Sequence, residues 1–138
     1  MTQPRVAVLA QDLIWGDRLA RAVKAAGAEP VRVTGGRELD AALVDADHAI
    51  VDLVARAYDP VAAITRARSA GARVLAVGPH DDLPLRKLAL GAGAERVLAY
   101  RKLFEDGPGT LSRWLSGDEP ASKDDATAGI ATRVTTPR

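Results

Sequence analysis

The chain has 138 residues, a length that fits one domain and can bury a core without disulfides or a structural metal. Nineteen Lys and Arg residues balance eighteen Asp and Glu residues, so charge alone indicates neither a polyanion-binding surface nor a strongly acidic one. The absence of cysteine excludes disulfides, thiolate nucleophiles and cysteine-ligated metal sites. No signal peptide pattern and no long apolar run is present, so we expect a cytoplasmic protein without membrane contact.

Short apolar segments alternate five times with segments of helical period. The predicted strands are 6–9, 30–33, 49–51, 73–77 and 96–99. The predicted helices are 15–26, 37–44, 60–70 and 83–91, followed by a last helix that carries Leu111, Trp114 and Leu115. Gly107, Pro108 and Gly109 must bend or break any helix that begins at Arg101.

This alternation predicts an α/β fold. Strands joined by helical crossovers run parallel, and the helices then cover both faces of the sheet. We expect a flavodoxin-like (βα)5 doubly wound parallel sheet with strand order 2-1-3-4-5. In such a sheet the site lies beyond the carboxyl ends of the central strands, where the strand order reverses. That position brings together Gln11, Asp12 and Asp52.

The composition changes abruptly after Ser116. The last 22 residues are mostly polar, and Ile130 and Val134 are the only large aliphatic residues among them. Such a segment buries too little apolar area to offset its ordering entropy. We therefore predict one domain over 1–116 and a disordered tail over 117–138. The tail is too polar to form a DNA-binding helix-turn-helix, so no direct nucleic-acid contact is expected.

Residues 4–116 resemble the receiver domain of bacterial response regulators, the CheY-like family. The resemblance is carried by four segments, Val8-Leu9-Ala10-Gln11-Asp12, Ile50-Val51-Asp52-Leu53, Val74-Leu75-Ala76-Val77-Gly78-Pro79-His80-Asp81-Asp82 and Gly91-Ala92-Gly93-Ala94-Glu95. Family receivers accept a phosphoryl group on the aspartate that ends the third strand, which is Asp52 here. The resemblance also implies a weak Mg²⁺ site at Asp12 and Asp52, and no other cofactor.

Three positions depart from the family pattern. The family has a Ser or Thr at the end of the fourth strand and a Lys at the end of the fifth, where this chain has Gly78 and Tyr100. Gln11 and Asp12 supply at most one carboxylate at the end of the first strand. These departures favour a degenerate pseudo-receiver, a non-enzymatic signalling or scaffolding module in two-component signal transduction that acts through protein contacts.

Two other functions stay open. The chain is alternatively a single-domain response regulator phosphorylated on Asp52, or a small-ligand or nucleotide binder that uses the cleft at the strand carboxyl ends. Asp52 is alternatively a structural carboxylate that caps the next loop or pairs with Arg56, and Asp12 is alternatively a helix cap.

The predicted interaction surface lies around the fourth helix and the fifth strand, the usual face for dimerisation or output contacts in receivers. It comprises Trp15, Arg86, Lys87, Tyr100, Arg101 and Lys102. We expect Arg86 and Arg101 to face solvent, and a protein partner or a second copy of the chain to bind there. The alternatives are a solvated basic edge and, for the two aromatic residues, a lid folded over the Asp52 pocket.

Overall fold

The computed structural model describes residues 3–117 as alternating strands and helices, and no helix among these residues is long and apolar enough to span a membrane. The strands are β1 (Arg5–Leu9), β2 (Glu29–Val33), β3 (His48–Asp52), β4 (Arg73–Gly78) and β5 (Arg96–Ala99). The helices are α1 (Leu13–Ala25), α2 (Gly36–Leu43), α3 (Pro60–Ser69), α4 (Leu83–Ala92) and α5 (Tyr100–Ser116). Beyond Gly117, the predicted tail lies outside the described residues.

The five strands form one parallel sheet in the order β2-β1-β3-β4-β5, which confirms the predicted fold class. The register aligns the strand ends, because Leu9 pairs with Val51 and Asp52 pairs with Val77. All strand carboxyl ends therefore meet at one edge of the sheet, called here the carboxyl edge.

The helices divide between the two faces of the sheet, and each face has its own apolar core. On one face, α1 and α5 pack against the sheet through buried side chains that include Leu19, Val23, Leu111 and Trp114. On the other face, α2, α3 and α4 pack through side chains that include Leu39, Ile64 and Ala89. Because helices cover both faces, the central strands are buried along their length, which explains their unbroken apolar sequences.

Three helices begin at the carboxyl edge with an aspartate as the N-terminal cap. The carboxylates of Asp12, Asp59 and Asp82 accept hydrogen bonds from backbone amides in the first turns of α1, α3 and α4. These caps fix where each helix starts relative to the preceding strand, and thereby position the side chains at this edge.

Helix α5 is broken at Asp106, as the Gly-Pro-Gly sequence predicts. Asp106 has the non-helical angles φ −154° and ψ 62°, and its carboxylate accepts a hydrogen bond from the Gly109 amide. Gly107 packs against α1, because a Cβ atom added to it would lie 3.3 Å from the Cβ of Ala22. The kink therefore brings the backbone of α5 close to α1.

Trp114 is the largest fully buried side chain, with 1% exposure. We expect Trp114→Ala to lower the free energy of unfolding by about 3–5 kcal/mol, because it removes buried surface and leaves a cavity. The aromatic control Phe104→Ala, at a position 68% exposed, should change the free energy of unfolding by no more than about 0.5 kcal/mol. Chemical denaturation of both variants measures the difference, and equal losses would contradict the assigned core.

Candidate functional site

Asp52 ends β3 as a buried carboxylate at the carboxyl edge, with 1% exposure. Its Oδ1 accepts one hydrogen bond from the Tyr100 hydroxyl and one of 3.1 Å from the Val54 amide. Its Oδ2 is buried and has no hydrogen-bond partner among residues 3–117. Asp52 therefore caps the following loop, as one alternative proposed.

Burial shifts the pKa of both partners in the hydrogen bond between Tyr100 and Asp52. Burial raises the pKa of Asp52, while the hydrogen bonds from the Tyr100 hydroxyl and the Val54 amide oppose the rise. Burial and the nearby Asp52 raise the pKa of Tyr100 well above its ordinary value. The tyrosine therefore stays protonated at neutral pH and acts as a neutral donor to the carboxylate.

Tyr100, which donates the hydrogen bond to Asp52, lies against a second aromatic ring. Tyr100 is the first residue of α5, and Trp15 lies in the first turn of α1. Their ring centroids are 4.4 Å apart with an angle of 33° between the ring planes. Both side chains are half-buried, and Tyr100 is the one that contacts Asp52 directly.

The polar residues that follow β1 are engaged in loop contacts. Asp12 Oδ1 accepts hydrogen bonds from the amides of Ile14 and Trp15, at 2.8 and 3.0 Å. Gln11 Oε1 accepts from the amides of Arg56 and Ala57, at 2.6 and 2.9 Å, and so ties the loop after β1 to the loop after β3. Asp12 is the helix cap that the sequence offered as an alternative.

These residues offer a weak ligand set for the Mg²⁺ ion that the receiver fold implies. Asp12 Oδ1 caps a helix, and Asp52 Oδ1 already accepts two hydrogen bonds. Within residues 3–117, no group of three or more acidic or histidine side chains is arranged to hold a metal ion. Asp52 Oδ2 accepts no hydrogen bond within residues 3–117, so this buried oxygen and the second carboxylate oxygen of Asp12 are what the two side chains leave for Mg²⁺.

The end of β4 is filled by an apolar side chain. Gly78 is buried, and a Cβ atom added to it would lie 3.1 Å from Cδ1 and 3.2 Å from Cβ of Leu53. A Ser or Thr at position 78 would therefore require Leu53 to move. The leucine lies directly after Asp52, so the loop packs in a way that disfavours a hydroxyl residue at this position.

Sequence reasoning missed the second tyrosine at the carboxyl edge. The Tyr58 hydroxyl is 3.2 Å from the Leu9 carbonyl oxygen and donates at 2.7 Å to the carbonyl oxygen of Asp52. Burial, and then the charge of Asp52, raise the pKa of Tyr58, so it also remains a neutral donor. The available signal was its position, as a large aromatic in the polar loop after β3.

One expectation about the predicted interaction surface is wrong, namely that Arg86 faces solvent. Arg86 does not face solvent, because it lies one turn before Ala89 on the inward face of α4 and is 8% exposed. Its long aliphatic portion can pack in the interior, which its charge alone did not suggest. Arg101 is exposed as expected, Lys87 is also exposed, and Lys102 is half-buried.

Comparison with solved structures identifies the architecture. A response regulator from Thermotoga maritima matches with a TM-score of 0.70 and 18% identity, over 83% of this chain and 98% of that one. A CheY-like receiver domain protein from Methanospirillum hungatei matches with a TM-score of 0.66 and 17% identity, over 84% and 99%. The fold is that of a receiver domain.

A third receiver fold has the same extent. The signal receiver domain assigned to the response regulator NarL from Mycobacterium tuberculosis matches with a TM-score of 0.70 and 22% identity, over 85% of this chain and 99% of that one. No protein-family model matches the sequence, and a search of curated proteins finds no match. At these identities the likeness establishes the receiver fold, and the function must be argued from the site.

The raised pKa of Asp52 makes stability depend on pH. The folded state holds the Asp52 proton to a higher pH than the unfolded state does. The free energy of unfolding is therefore highest below about pH 3.8 and falls as the pH rises through the raised pKa of Asp52. Over this pH range we expect the Asp52→Asn variant to become more stable than the native chain, and the difference in the free energy of unfolding should stay constant at higher pH. Tyr100→Phe, which removes an opposing hydrogen bond, should steepen the dependence. Denaturation across pH measures both, and a pH-independent difference would contradict the assignment.

Proposed function

We propose that this chain is a non-enzymatic, receiver-fold signalling or scaffolding protein that acts through protein contacts and not through phosphorylation of Asp52. The observation that carries the proposal is the hydrogen bond from the Tyr100 hydroxyl to Asp52, with the Trp15 ring stacked on that tyrosine. Asp52 Oδ1 is occupied by this hydrogen bond, and Oδ2 is buried.

The chemistry of phosphoryl transfer supports this proposal. Transfer to a carboxylate builds negative charge on the phosphoryl oxygens, which a site must stabilise with cations and hydrogen-bond donors. A neutral tyrosine hydroxyl points at Asp52 where the family has a lysine, and Gly78 offers no hydroxyl. Asp12 caps α1 and does not join a metal-binding set. The pocket therefore lacks the groups that would stabilise a phosphorylated Asp52.

The proposed contact surface is the exposed part of α4 together with the start of α5. Leu83 and Leu88 are 62% and 58% exposed, and Lys87 lies between them in sequence. Arg101 is exposed, with its guanidinium 3.7 Å from the Glu105 carboxylate. Exposed apolar side chains among basic ones are typical of a protein-binding surface, and a partner or a second copy of the chain would bind here.

We expect no stable phosphorylation when the full chain is incubated with acetyl phosphate and magnesium. The physical reason is that Tyr100 occupies Asp52 Oδ1, and that Tyr100 and Gly78 stand where the family has a lysine and a hydroxyl residue to stabilise the phosphoryl charge. Intact-mass spectrometry, with a known active receiver treated in parallel, measures the outcome. A gain of one phosphoryl group that disappears in Asp52→Asn would overturn the proposal.

Charge reversal tests the contact surface. Lys87→Glu combined with Arg101→Glu should weaken self-association or partner binding by about tenfold, because both side chains are exposed on the proposed surface. Lys24→Glu, an exposed reversal on α1, should leave association unchanged. Sedimentation velocity and pull-down measure the effect, and equal behaviour of the two proteins would rule this surface out.

A further inference from the structure

A groove lies between α1 and α5, on the face of the sheet opposite to α4. Its volume is about 360 Å³. The residues that matter for its chemistry are Trp15, Arg18, Ala22, Leu103, Phe104 and Pro108. Two arginines and no acidic residue line it, and its other lining side chains are apolar.

The shape of the groove follows from the kink in α5. Gly107 and Ala22 bring the two helices together at one point. On α1, Trp15, Arg18, Ala22 and Ala25 recur at helical spacing along one face. Trp15 and Ala25 are ten residues apart, which is about 15 Å along a helix, so this side of the groove matches the length of about three turns of a bound helix. An open, elongated groove suits a peptide segment better than a compact small molecule.

Arg18 supplies an oriented cation at this groove. Its guanidinium carbon lies 5.6 Å from the centroid of the Trp15 ring and 5.0 Å from that of Phe104. In contrast to Arg21, whose guanidinium is 2.8 Å from the Asp17 carboxylate, Arg18 has no carboxylate partner within residues 3–117. Two rings hold the guanidinium in place, so little side-chain entropy would be lost when it binds an anion.

Phe104 adds exposed aromatic surface beside that cation. Its side chain is 68% exposed, although it is one of only five large aromatic residues in the chain. Arginine and large aromatic residues dominate the binding energy of protein interfaces. Arg18, Trp15 and Phe104 form such a cluster here, around an apolar floor.

We infer that this groove binds an acidic, amphipathic segment of a partner protein. A carboxylate of the segment pairs with the Arg18 guanidinium, and its apolar side chains lie on Ala22, Leu103 and Phe104. Charge complementarity selects this occupant, because the lining offers apolar surface and the Arg18 cation, while the Asp17 carboxylate beside the groove pairs with Arg21. The inference rests on the proposed function only in that both assign protein contacts to the chain.

The groove is adjacent to the Asp52 pocket through a shared residue. Trp15 lines the groove and also stacks on Tyr100, whose hydroxyl binds Asp52. Trp114, the other tryptophan, is buried, and its indole nitrogen donates to Glu95 at 3.1 Å. Trp15 is therefore the spectroscopic reporter of binding, and Trp114 is an internal reference within the same chain.

The experiment titrates the full chain with a synthetic acidic helix. The probe has about twelve residues, enough for three turns, with Leu and Phe on one face and Glu on the other. We expect saturable binding that shifts the Trp15 indole resonance and leaves that of Trp114 in place. A control peptide with Lys in place of Glu should bind at least about tenfold more weakly.

Matched variants assign the binding to Arg18. Arg18→Gln should weaken binding of the acidic peptide by about tenfold. Arg37→Gln, the same charge change at an exposed position of α2 outside the groove and outside the α4 contact surface, should change Kd by less than about twofold. Thermal melting and an amide spectrum establish that both variants are folded. Phe104→Ala, at an exposed position, supplies a second variant that weakens binding without affecting the core.

Several results would overturn the inference. These are absence of saturable binding, equal affinity for the Lys peptide, an unchanged Kd in Arg18→Gln, or shifts confined to α4. Residues 118–138 of this chain would be the occupant instead if the peptide bound only after Ile130→Ser and Val134→Ser were introduced together. The phosphorylation test measures a mass change that depends on Asp52, and the peptide titration measures an affinity that depends on Arg18. Failure of one test can therefore be distinguished from failure of the other.

Discussion

The carboxyl edge is organised around the need of one buried carboxylate for hydrogen-bond donors. A carboxylate removed from water is strongly destabilising unless donors satisfy it or it takes up a proton. Asp52 is buried because β3 is the central strand, flanked by β1 and β4. The Val54 amide and the Tyr100 hydroxyl supply the donors. The packing of the surrounding loops follows from this arrangement.

The reach of Tyr100 depends on where β5 ends. The strand stops at Ala99 and α5 begins at the next residue, so the tyrosine lies at the turn from strand to helix. Trp15 can stack on it because Asp12 caps α1 and fixes the first turn of that helix next to the pocket. Asp12 therefore has a structural role here, because it fixes the helix whose Trp15 ring contacts Tyr100.

Much of the fold was predictable from the sequence, because the alternation of apolar runs and helical segments is strong. The strand ends were predictable for the same reason, and they placed Asp52 and Tyr100 at one edge of the sheet. The burial of Arg86 was not predictable, because the helical period shows which residues share a face of α4 but only tertiary packing decides which face is buried. The contacts of Tyr58 and Leu53 depend on loop conformation, for which sequence spacing carries little information.

The shared position of Trp15 constrains how the groove and the Asp52 pocket can influence each other. A bound segment that pulled Trp15 away would expose the Tyr100 hydroxyl and weaken the donation to Asp52, leaving a buried carboxylate poorly satisfied. A ligand shifts a conformational equilibrium only by its differential affinity for the two states, so such binding would have to offset that penalty. Binding with the stack in place avoids the penalty. We therefore expect a segment bound in the groove to stabilise the arrangement in which Trp15 contacts Tyr100.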